Sequence, residues 1–416
     1  MKVLLVGSGG REHALAWRLA RTGPHVEIHA APGNPGIAGI GHCHPVRSDD
    51  LEGLLDLARQ LRAELVVIGP EAPLVAGLAD VLRRAGIAVF GPSGAAARIE
   101  GSKSFAKDVL LSAGVATARS LVEPKAPCVI KADGLAAGKG VFVCTTPEEV
   151  AAGLRDVTAF AGEIVVEELL VGDEVSLFAL CDGVRALPLT PAQDFKRAYD
   201  GDAGPNTGGM GAYSPLPWLS DRWGSEASFV DEVLDTIALP TVRALEAEGA
   251  PFIGLLYCGL IVTAHGIRVI EFNARFGDPE TQVVLPRLDT PLSELLLAAA
   301  TGGLGRMPYP TFSNDACVIV VLASEGYPDE PVTGRPIDGL DAAAAIPGVT
   351  IAHAATVLVD GAYIATGGRV LGVVARSADF TSARRTAYDA IEHIHLEGSF
   401  YRRDIAERVS QAEDRR

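Results

Sequence analysis

Residues 1 to about 99 alternate short apolar runs with segments of helical spacing, and this alternation constrains the fold strongly. The apolar runs are VLLVG, VEIHAA, ELVVIGP and IAVFGPS. The segments REHALAWRLAR and DLEGLLDLARQL fit helical spacing between them. Strands that alternate with helices form parallel sheets, so an open, doubly wound sheet is predicted. Ligands of such sheets bind where the strands end, here at the loops 7–12, 31–36 and 69–74.

The remaining chain predicts further domains, because 416 residues are too many for one ordinary hydrophobic core. We expect an N-terminal domain at 1–100 and a second domain at 101–313. Within the second, strands and turns at about 114–178 predict a small α+β lid. A mixed α+β C-terminal domain is expected at 314–416.

The composition of the chain limits the classes of partner that it can bind. The formal net charge is −16, which argues against nucleic acid and anionic membranes as partners. Six scattered cysteines without a CxxC pair, and no run of 18 apolar residues, predict a reduced cytoplasmic protein without a membrane span. His42, Cys43 and His44 are expected to lie in a solvated loop, because no further ligands follow at zinc spacing. Only seven of the 36 basic residues are lysine, so each lysine is a candidate for a specific role at a binding site.

The loop GSGGRE follows the first predicted strand. Its backbone amides and Arg11 suit a phosphate, although a tight strand-to-helix turn is an equal interpretation. A dinucleotide fingerprint would require glycine where Glu12 stands, and an acidic residue at the end of the second strand. Both are missing, which disfavours NAD.

The segment KADGLAAGKGV at 131–141 has lysine at both ends of a glycine-rich loop. Lys131 ends a strand, and the loop contains Lys139 and the glycines Gly134, Gly138 and Gly140. The sequence does not fit a Walker loop. A glycine hairpin is the alternative, but two lysines in a lysine-poor chain favour a loop that folds over a triphosphate.

The segment VVEELLVGDEVS at 165–176 reads as a strand, a connector and a second strand. Such a connector can present backbone groups to adenine, with Glu174 at the ribose hydroxyls. An acidic surface turn is the alternative interpretation.

The segment IEFNARFGDPE at 270–280 places Glu271 and Asn273 two residues apart on a strand, so both face the same way. A carboxylate and an amide oxygen suit Mg²⁺. Arg275 continues this face. A polar edge strand is the alternative, but the apolar flanks favour a buried site whose charges need partners.

The segment QDFKRAYDGDAGPNTGGMGAYSP at 193–215 is a long loop that contains acidic residues, Lys196 and a glycine pair. Long loops in compact domains are usually functional or disordered. Its Met, Tyr and Phe residues favour an ordered, functional loop.

In this order, the motifs resemble the glycinamide ribonucleotide synthetase family of ATP-grasp ligases, from the first strand to FYRRDI near the end. The motifs that carry the resemblance are GSGGREHA, APGN, GPEAPL, GSK, VIKADGLAAGKGV, PNTGGMGAYSP, EFNARFGDPE and TGGRVL. The resemblance implies an N-terminal open sheet, an ATP-grasp lid and core, and a C-terminal domain. It implies a ligase that joins glycine to phosphoribosylamine through glycyl phosphate, with ATP and Mg²⁺ (or Mn²⁺).

The resemblance also implies site residues. For ATP, these are Lys103, Lys131, Gly134, Gly138, Lys139, Gly140, Glu167, Glu168, Leu170 and Glu174, with the backbone of Glu168 and Leu170 at adenine. For phosphoribosylamine they are Gly9, Gly10, Arg11, Gly33, Asn34 and Glu71, and further substrate contacts are implied at Gly208, Gly209, Gly277 and Asp278. Glu271 and Asn273 would hold Mg²⁺, and Asp194, Lys196 and Arg275 would line the glycine and acyl-phosphate site.

Two departures and three rival functions stay open. Residue 195 is Phe where the family usually has His, and a helix found in many relatives is missing before the strand that ends at Lys131, which predicts a smaller lid. The rivals are another ATP-grasp ligase with a different acid or amine, such as a biotin carboxylase-like enzyme, a dinucleotide-dependent oxidoreductase and a non-catalytic nucleotide-binding regulator.

Overall fold

The N-terminal domain is an open parallel sheet. We describe the chain from a computed structural model that covers residues 1–21, 25–135, 140–160 and 163–415. Five strands pair in parallel in the order β3-β2-β1-β4-β5. They are β1 (Lys2–Gly7), β2 (Glu27–Pro32), β3 (His42–Cys43), β4 (Leu65–Ile68) and β5 (Val89–Phe90). The helices are α1 (Gly10–Arg21), α2 (Pro35–Ala38), α3 (Leu51–Leu61), α4 (Glu71–Val75), α5 (Leu78–Arg84) and α6 (Gly94–Gly101).

The doubly wound prediction is confirmed, with one local correction. The loop expected at 42–44 includes β3, because His42 and Cys43 pair with His29 and Ala30 at the sheet edge. The strand order reverses between β1 and β4, so the loops that follow these two strands border one crevice.

The lid is a three-stranded antiparallel sheet in the order β7-β6-β8, covered by one helix. Its strands are β6 (Cys128–Ala132), β7 (Val141–Cys144) and β8 (Ile164–Glu168), and they follow α7 (Lys103–Ser112). The helix α8 (Pro147–Asp156) begins with a capping box between Thr146 and Glu149. Residues 113–127 contain no helix, as the sequence predicts.

The core of the second domain is a four-stranded antiparallel sheet in the order β10-β9-β15-β16. Its strands are β9 (Asp173–Asp182), β10 (Ala186–Pro188), β15 (Ile253–Thr263) and β16 (Gly266–Asn273). The predicted lid at about 114–178 therefore extends too far. The strand EVSLFAL belongs to the core, because β9 pairs along its length with β15.

A fourth sheet joins the two halves of the chain. Its order is β11-β14-β17-β22-β19, so β11 and β14, which precede residue 313, continue a sheet of the C-terminal domain. The strands of this sheet are β11 (Gln193–Asp194), β14 (Gly211–Ser214), β17 (Ala316–Ala323), β19 (Val349–His353) and β22 (Arg369–Ser377). The other strands in this part of the chain are β12 (Arg197–Tyr199), β13 (Ala203–Asn206), β18 (Pro336–Ile337), β20 (Thr356–Val359) and β21 (Ala362–Ala365). β12 and β13 form a ribbon, and β18-β21-β20 form a small separate sheet.

The remaining helices follow in the second half of the chain. They are α9 (Ser220–Trp223), α10 (Glu226–Val233), α11 (Leu239–Ala247), α12 (Thr281–Val284), α13 (Leu292–Ala300), α14 (Leu340–Ala344), α15 (Phe380–Ile391) and α16 (Glu407–Glu413). The C-terminal domain also contacts the N-terminal one, where Asn34 Nδ2 donates to the carbonyl of His353 at 2.9 Å. His13 Nδ1 accepts from the amide of His353 at 2.9 Å.

Candidate active site

One cleft of about 1070 Å³ lies between the N-terminal sheet, the lid, the core and the C-terminal segment. The loops after β1 and β4 form one wall, and β6 and β8 of the lid form another. Strand β16 and the loop 193–208 line the core side, and residues 402–409 contribute from the C-terminal end of the chain.

Most predicted site residues line this cleft. They are Gly9, Arg11, Glu71, Lys103, Lys131, Gly134, Gly140, Glu167, Glu168, Leu170, Glu174, Asp194, Lys196, Gly208, Glu271, Asn273, Arg275, Gly277 and Asp278. Gly138 and Lys139 lie outside the described residues. Four predicted site residues do not line the cleft: Gly10, Gly33, Asn34 and Gly209.

At these four positions the residue packs against, or bonds to, other parts of the protein. A Cβ on Gly33 would meet the thiol of Cys43, and one on Gly209 would meet the ring of Pro279. A Cβ on Gly10 would meet the side chain of Gln282. The side chain of Asn34 caps α2 and bonds to the carbonyls of Ser8 and His353, and its contact with phosphoribosylamine stays a prediction.

The lysines of the lid share one carboxylate. Lys131 Nζ lies 2.6 Å from Glu167 Oε2 and donates to the carbonyl of Ile270 at 3.1 Å. Lys107 pairs with the other oxygen of Glu167. Glu167, predicted to bind ATP, is thus the buried counter-ion that holds two cations at the cleft, since a buried carboxylate must be paired. Lys103 Nζ donates to the carbonyl of Gly134, where φ of +119° favours glycine.

The strand β16 carries the predicted metal ligands. Glu271 and Asn273 both line the cleft, and the carboxylate of Glu271 has no hydrogen-bond partner among the described residues. Burial raises the pKa of Glu271, but the cations Lys196, Lys131, Arg275 and Lys103 outweigh it, so the pKa is lowered and the carboxylate stays ionised.

The donor set of β16 fits Mg²⁺. A free carboxylate and an amide oxygen are hard ligands on one strand face, and Mg²⁺ completes its shell with water and phosphate oxygens. Within the described ranges, no three His, Cys, Asp or Glu side chains are arranged to hold a metal, and this includes the region around His42, Cys43 and His44. A Mg²⁺ ion bound to Glu271 and Asn273 would complete its coordination shell with oxygen atoms of phosphate and water.

Arg275 joins the N-terminal domain to the core. Its guanidinium lies 3.0 Å from Glu100 Oε1 and 3.3 Å from Glu71 Oε2. Although burial alone would lower the pKa of Arg275, Glu100 and Glu71 raise it, so the guanidinium remains charged. Glu100 also accepts from the amide of Ala274 at 2.7 Å, which fixes the chain beside Arg275.

Lys196 is surrounded by carboxylates. Its ammonium lies 2.8 Å from Glu174 Oε2 and 4.0 Å from Asp194 Oδ2. Glu174, predicted at the ribose, takes the closer ion pair. Burial and the neighbouring carboxylates Glu280, Glu174 and Glu271 raise the pKa of Asp194 to about 7, against the opposing charge of Lys196.

The N-terminal loop is already partly saturated by protein carboxylates. Glu12 accepts from the amide of Gly9 at 2.6 Å and from Arg11 Nε at 2.6 Å. Asp278 accepts from the amide of Arg11 at 3.1 Å. The predicted phosphate cradle therefore has fewer free amides than the sequence suggests, because two carboxylates occupy the positively polarised helix start.

Several cleft residues were not predicted. Glu12, Glu100, Lys107 and Arg369 all line the cleft, and Arg369 lies 3.2 Å from Asp278 Oδ1. Arg369 also donates to the carbonyl of Gly208 at 2.7 Å. The motif TGGRVL signalled Arg369, and the scarcity of lysine signalled Lys107, but the partners of both residues come from distant segments.

An open N-terminal sheet, a small lid sheet and an antiparallel core that enclose a cation-lined cleft define an ATP-grasp enzyme. Models of the phosphoribosylglycinamide synthetase domains match most of the chain: the N domain at residues 1–100, the ATP-grasp (A) domain at 101–281 and the C domain at 317–408. The chain belongs to the phosphoribosylglycinamide synthetase family and is an ATP-grasp ligase.

Known proteins agree with this assignment. A phosphoribosylamine–glycine ligase of Leifsonia xyli subsp. xyli is 60% identical, over 98% of this chain and 100% of that protein. The Streptomyces coelicolor protein of the same name is 54% identical over 99% and 100%. The crystal structure of phosphoribosylamine–glycine ligase from Thermotoga maritima matches with a TM-score of 0.81 and 34% identity, over 97% of this chain and 100% of that chain. Among the described residues, no helix is long and apolar enough to cross a membrane.

Proposed function

We propose that this protein joins the carboxylate of glycine to the amine of phosphoribosylamine, with conversion of ATP to ADP and phosphate. The observation that carries the proposal is the convergence of Lys103, Lys131, Lys196 and Arg275 around the ionised carboxylate of Glu271 in one cleft. Such a site suits phosphoryl transfer, which requires positioning and charge neutralisation more than a protein nucleophile. The names of the relatives supply the substrate pair.

Activation of glycine comes first, because a carboxylate is a poor electrophile. Lys131 and Lys103 neutralise phosphate charge, and Mg²⁺ held by Glu271 and Asn273 supplies further neutralisation when bound. The γ-phosphoryl group moves to a carboxylate oxygen of glycine, which gives glycyl phosphate and ADP. Lys196 and Arg275 orient the reacting carboxylate, since ion pairs with Glu174 and Glu100 hold both cations in place.

Attack by the amine completes the reaction. The amine of phosphoribosylamine adds to the carbonyl carbon of glycyl phosphate, loses a proton, and phosphate leaves. We place phosphoribosylamine at the mouth formed by Gly9, Arg11 and Glu71, next to Arg275. Closure of the lid excludes water, which would otherwise hydrolyse the acyl phosphate.

An oxygen label tests the route. Glycine labelled with ¹⁸O in its carboxylate should deliver one label to inorganic phosphate as the amide forms. An adenylate route would instead place the label in AMP. Mass spectrometry of the products distinguishes the two, and the release of AMP and pyrophosphate would contradict the proposal. The same assay, with glycine replaced by other amino acids and with phosphoribosylamine omitted, tests the substrate pair.

Asp194 predicts a pH dependence. With its pKa raised to about 7, the carboxyl is neutral below that pH and ionised above it. If the ionised form binds the ammonium of glycine, kcat/KM for glycine should rise as pH increases through about 7. Asp194→Asn should lower kcat/KM and abolish this limb. A pH–rate profile of both proteins is the measurement, and a limb that persists in the variant would contradict the assignment.

Stability gives a second readout for the same group. A carboxyl whose pKa is raised by folding contributes its stabilisation below its ordinary pKa, and this is lost as pH rises through about 7. Thermal unfolding should therefore show Asp194→Asn gaining stability relative to the parent protein as the pH increases from about 5 to about 8.

A further inference from the structure

The C-terminal segment 400–404 contacts the loop that carries Asp194 and Lys196. Its central residue, Arg402, is 1% exposed, although arginine is rarely buried completely. The guanidinium donates to both oxygens of Asp404, at 2.7 and 2.6 Å, and to Asp202 Oδ1 at 2.8 Å. It also donates to the carbonyl of Arg197 at 3.2 Å.

Arg402 contacts both neighbours of Lys196 in the chain. Its guanidinium carbon lies 4.9 Å from the ring centroid of Phe195, and its bond to the carbonyl of Arg197 holds the other neighbour. A cation at this distance from an aromatic ring is attracted to it. Asp194 and Lys196 both line the cleft and their charged groups lie 4.0 Å apart, so Arg402 contacts the chain on either side of Lys196.

Further bonds fix the same loop to the same segment. Asp404 Oδ2 accepts from the amide of Gly201 at 2.8 Å, and Asp200 Oδ1 accepts from the amide of Arg403 at 2.7 Å. The rings of Tyr199 and Phe400 lie 5.8 Å apart. The backbone that carries Lys196 is therefore held from the C-terminal domain at several points.

We propose that Arg402 is a positioning residue for Lys196 and Asp194, and that the cation–π contact with Phe195 transmits its effect. The proposal rests on the proposed function, which gives Lys196 and Asp194 their contacts with glycine and the acyl phosphate. Four of the five N–H donors of Arg402 bond to protein atoms, so the guanidinium acts mainly by orienting the loop, although its side chain also lines the cleft.

The first test is Arg402→Lys. Lysine lacks the planar fork that bridges Asp404, Asp202 and Arg197, so the loop should shift while the lid lysines remain in place. We expect kcat to fall about 10- to 100-fold, as small misplacements of reacting groups commonly do, with an unchanged dissociation constant for ATP. The ratio of ADP released to amide formed should rise, because a displaced Lys196 leaves glycyl phosphate exposed to water.

The matched control is Arg287→Lys. Arg287 is also buried, at 4% exposure, and it donates to Ser214, Thr190 and the carbonyls of Ser313 and Asp315, but it does not line the cleft. Its loss should lower thermal stability without changing the ratio of ADP to amide. Equal effects of the two substitutions on kcat and on this ratio would overturn the proposal.

A double-mutant cycle isolates the contact with Phe195. If Arg402 acts through this ring, Arg402→Lys should reduce kcat much less in a Phe195→Leu background than in the parent protein. Full additivity would overturn the proposed transmission. Should Arg402→Lys fail to fold, Phe195→Leu alone decides: reduced kcat with normal ATP affinity supports the proposal, and unchanged kcat overturns it. A parent protein that forms no amide would instead refute the proposed function.

Discussion

Replacement of Glu271 by glutamine should reduce kcat at least about 100-fold at moderate Mg²⁺, because metal-ion charge stabilisation commonly contributes several kcal/mol to such transition states. Glu271 is the ionised carboxylate on β16 without a hydrogen-bond partner among the described residues, so glutamine keeps the shape and removes the charge. The measurement is initial rate against Mg²⁺ concentration, with circular dichroism to check the fold.

Glu294→Gln is the matched control for this experiment. Glu294 is an exposed carboxylate in the first turn of α13 and does not line the cleft. Its substitution should leave the Mg²⁺ dependence unchanged. Near-normal turnover of Glu271→Gln at low Mg²⁺ would contradict the assignment of Glu271 as a Mg²⁺ ligand.

Replacement of Lys131 by alanine should weaken ATP binding about 10- to 100-fold, since a charge-assisted contact to phosphate is commonly worth about 1.5–3 kcal/mol. Lys131 is 7% exposed and is aimed at the cleft by Glu167 and by the carbonyl of Ile270. One of its three donors remains for a ligand. Isothermal titration calorimetry with ATP measures the effect directly.

Lys125→Ala provides the comparison within the same region. Lys125 is an exposed lysine that lies just before β6, outside the cleft, and its removal should not change ATP affinity. If the two lysine variants bind ATP equally well, Lys131 does not face the triphosphate.

Local sequence patterns predicted the elements better than their pairing. The strands that contain Lys131 and Glu271 are evident from their short apolar runs, and alternation places Glu271 and Asn273 on one face. The strand EVSLFAL has the same local pattern as the strands of the lid. Only its pairing with β15, which is distant in the chain, assigns it to the core.

For the site as well, the sequence predicted single residues better than the contacts between them. Residues with a chemical signal of their own, such as Lys103, Lys131 and Arg275, do line the cleft. Their counter-ions depend on tertiary structure: Glu100 and Glu167 carry no distinctive motif that would announce an ion pair. The bonds of the Asn34 amide to backbone carbonyls were not predictable either, because one of these carbonyls belongs to the distant residue His353.

The sheet shared by β14 and β17 has a consequence for synthesis on the ribosome. Gly211 pairs with Val320, so β14 leaves the exit tunnel long before its partner strand is made. Until then its edge is open and can pair with another nascent chain. The N-terminal domain, whose sheet is completed by β5, can fold early. The loop between β11 and β14 cannot take its final form until residues 400–404, which contact it, have emerged, and a chain terminated before them should be prone to aggregation.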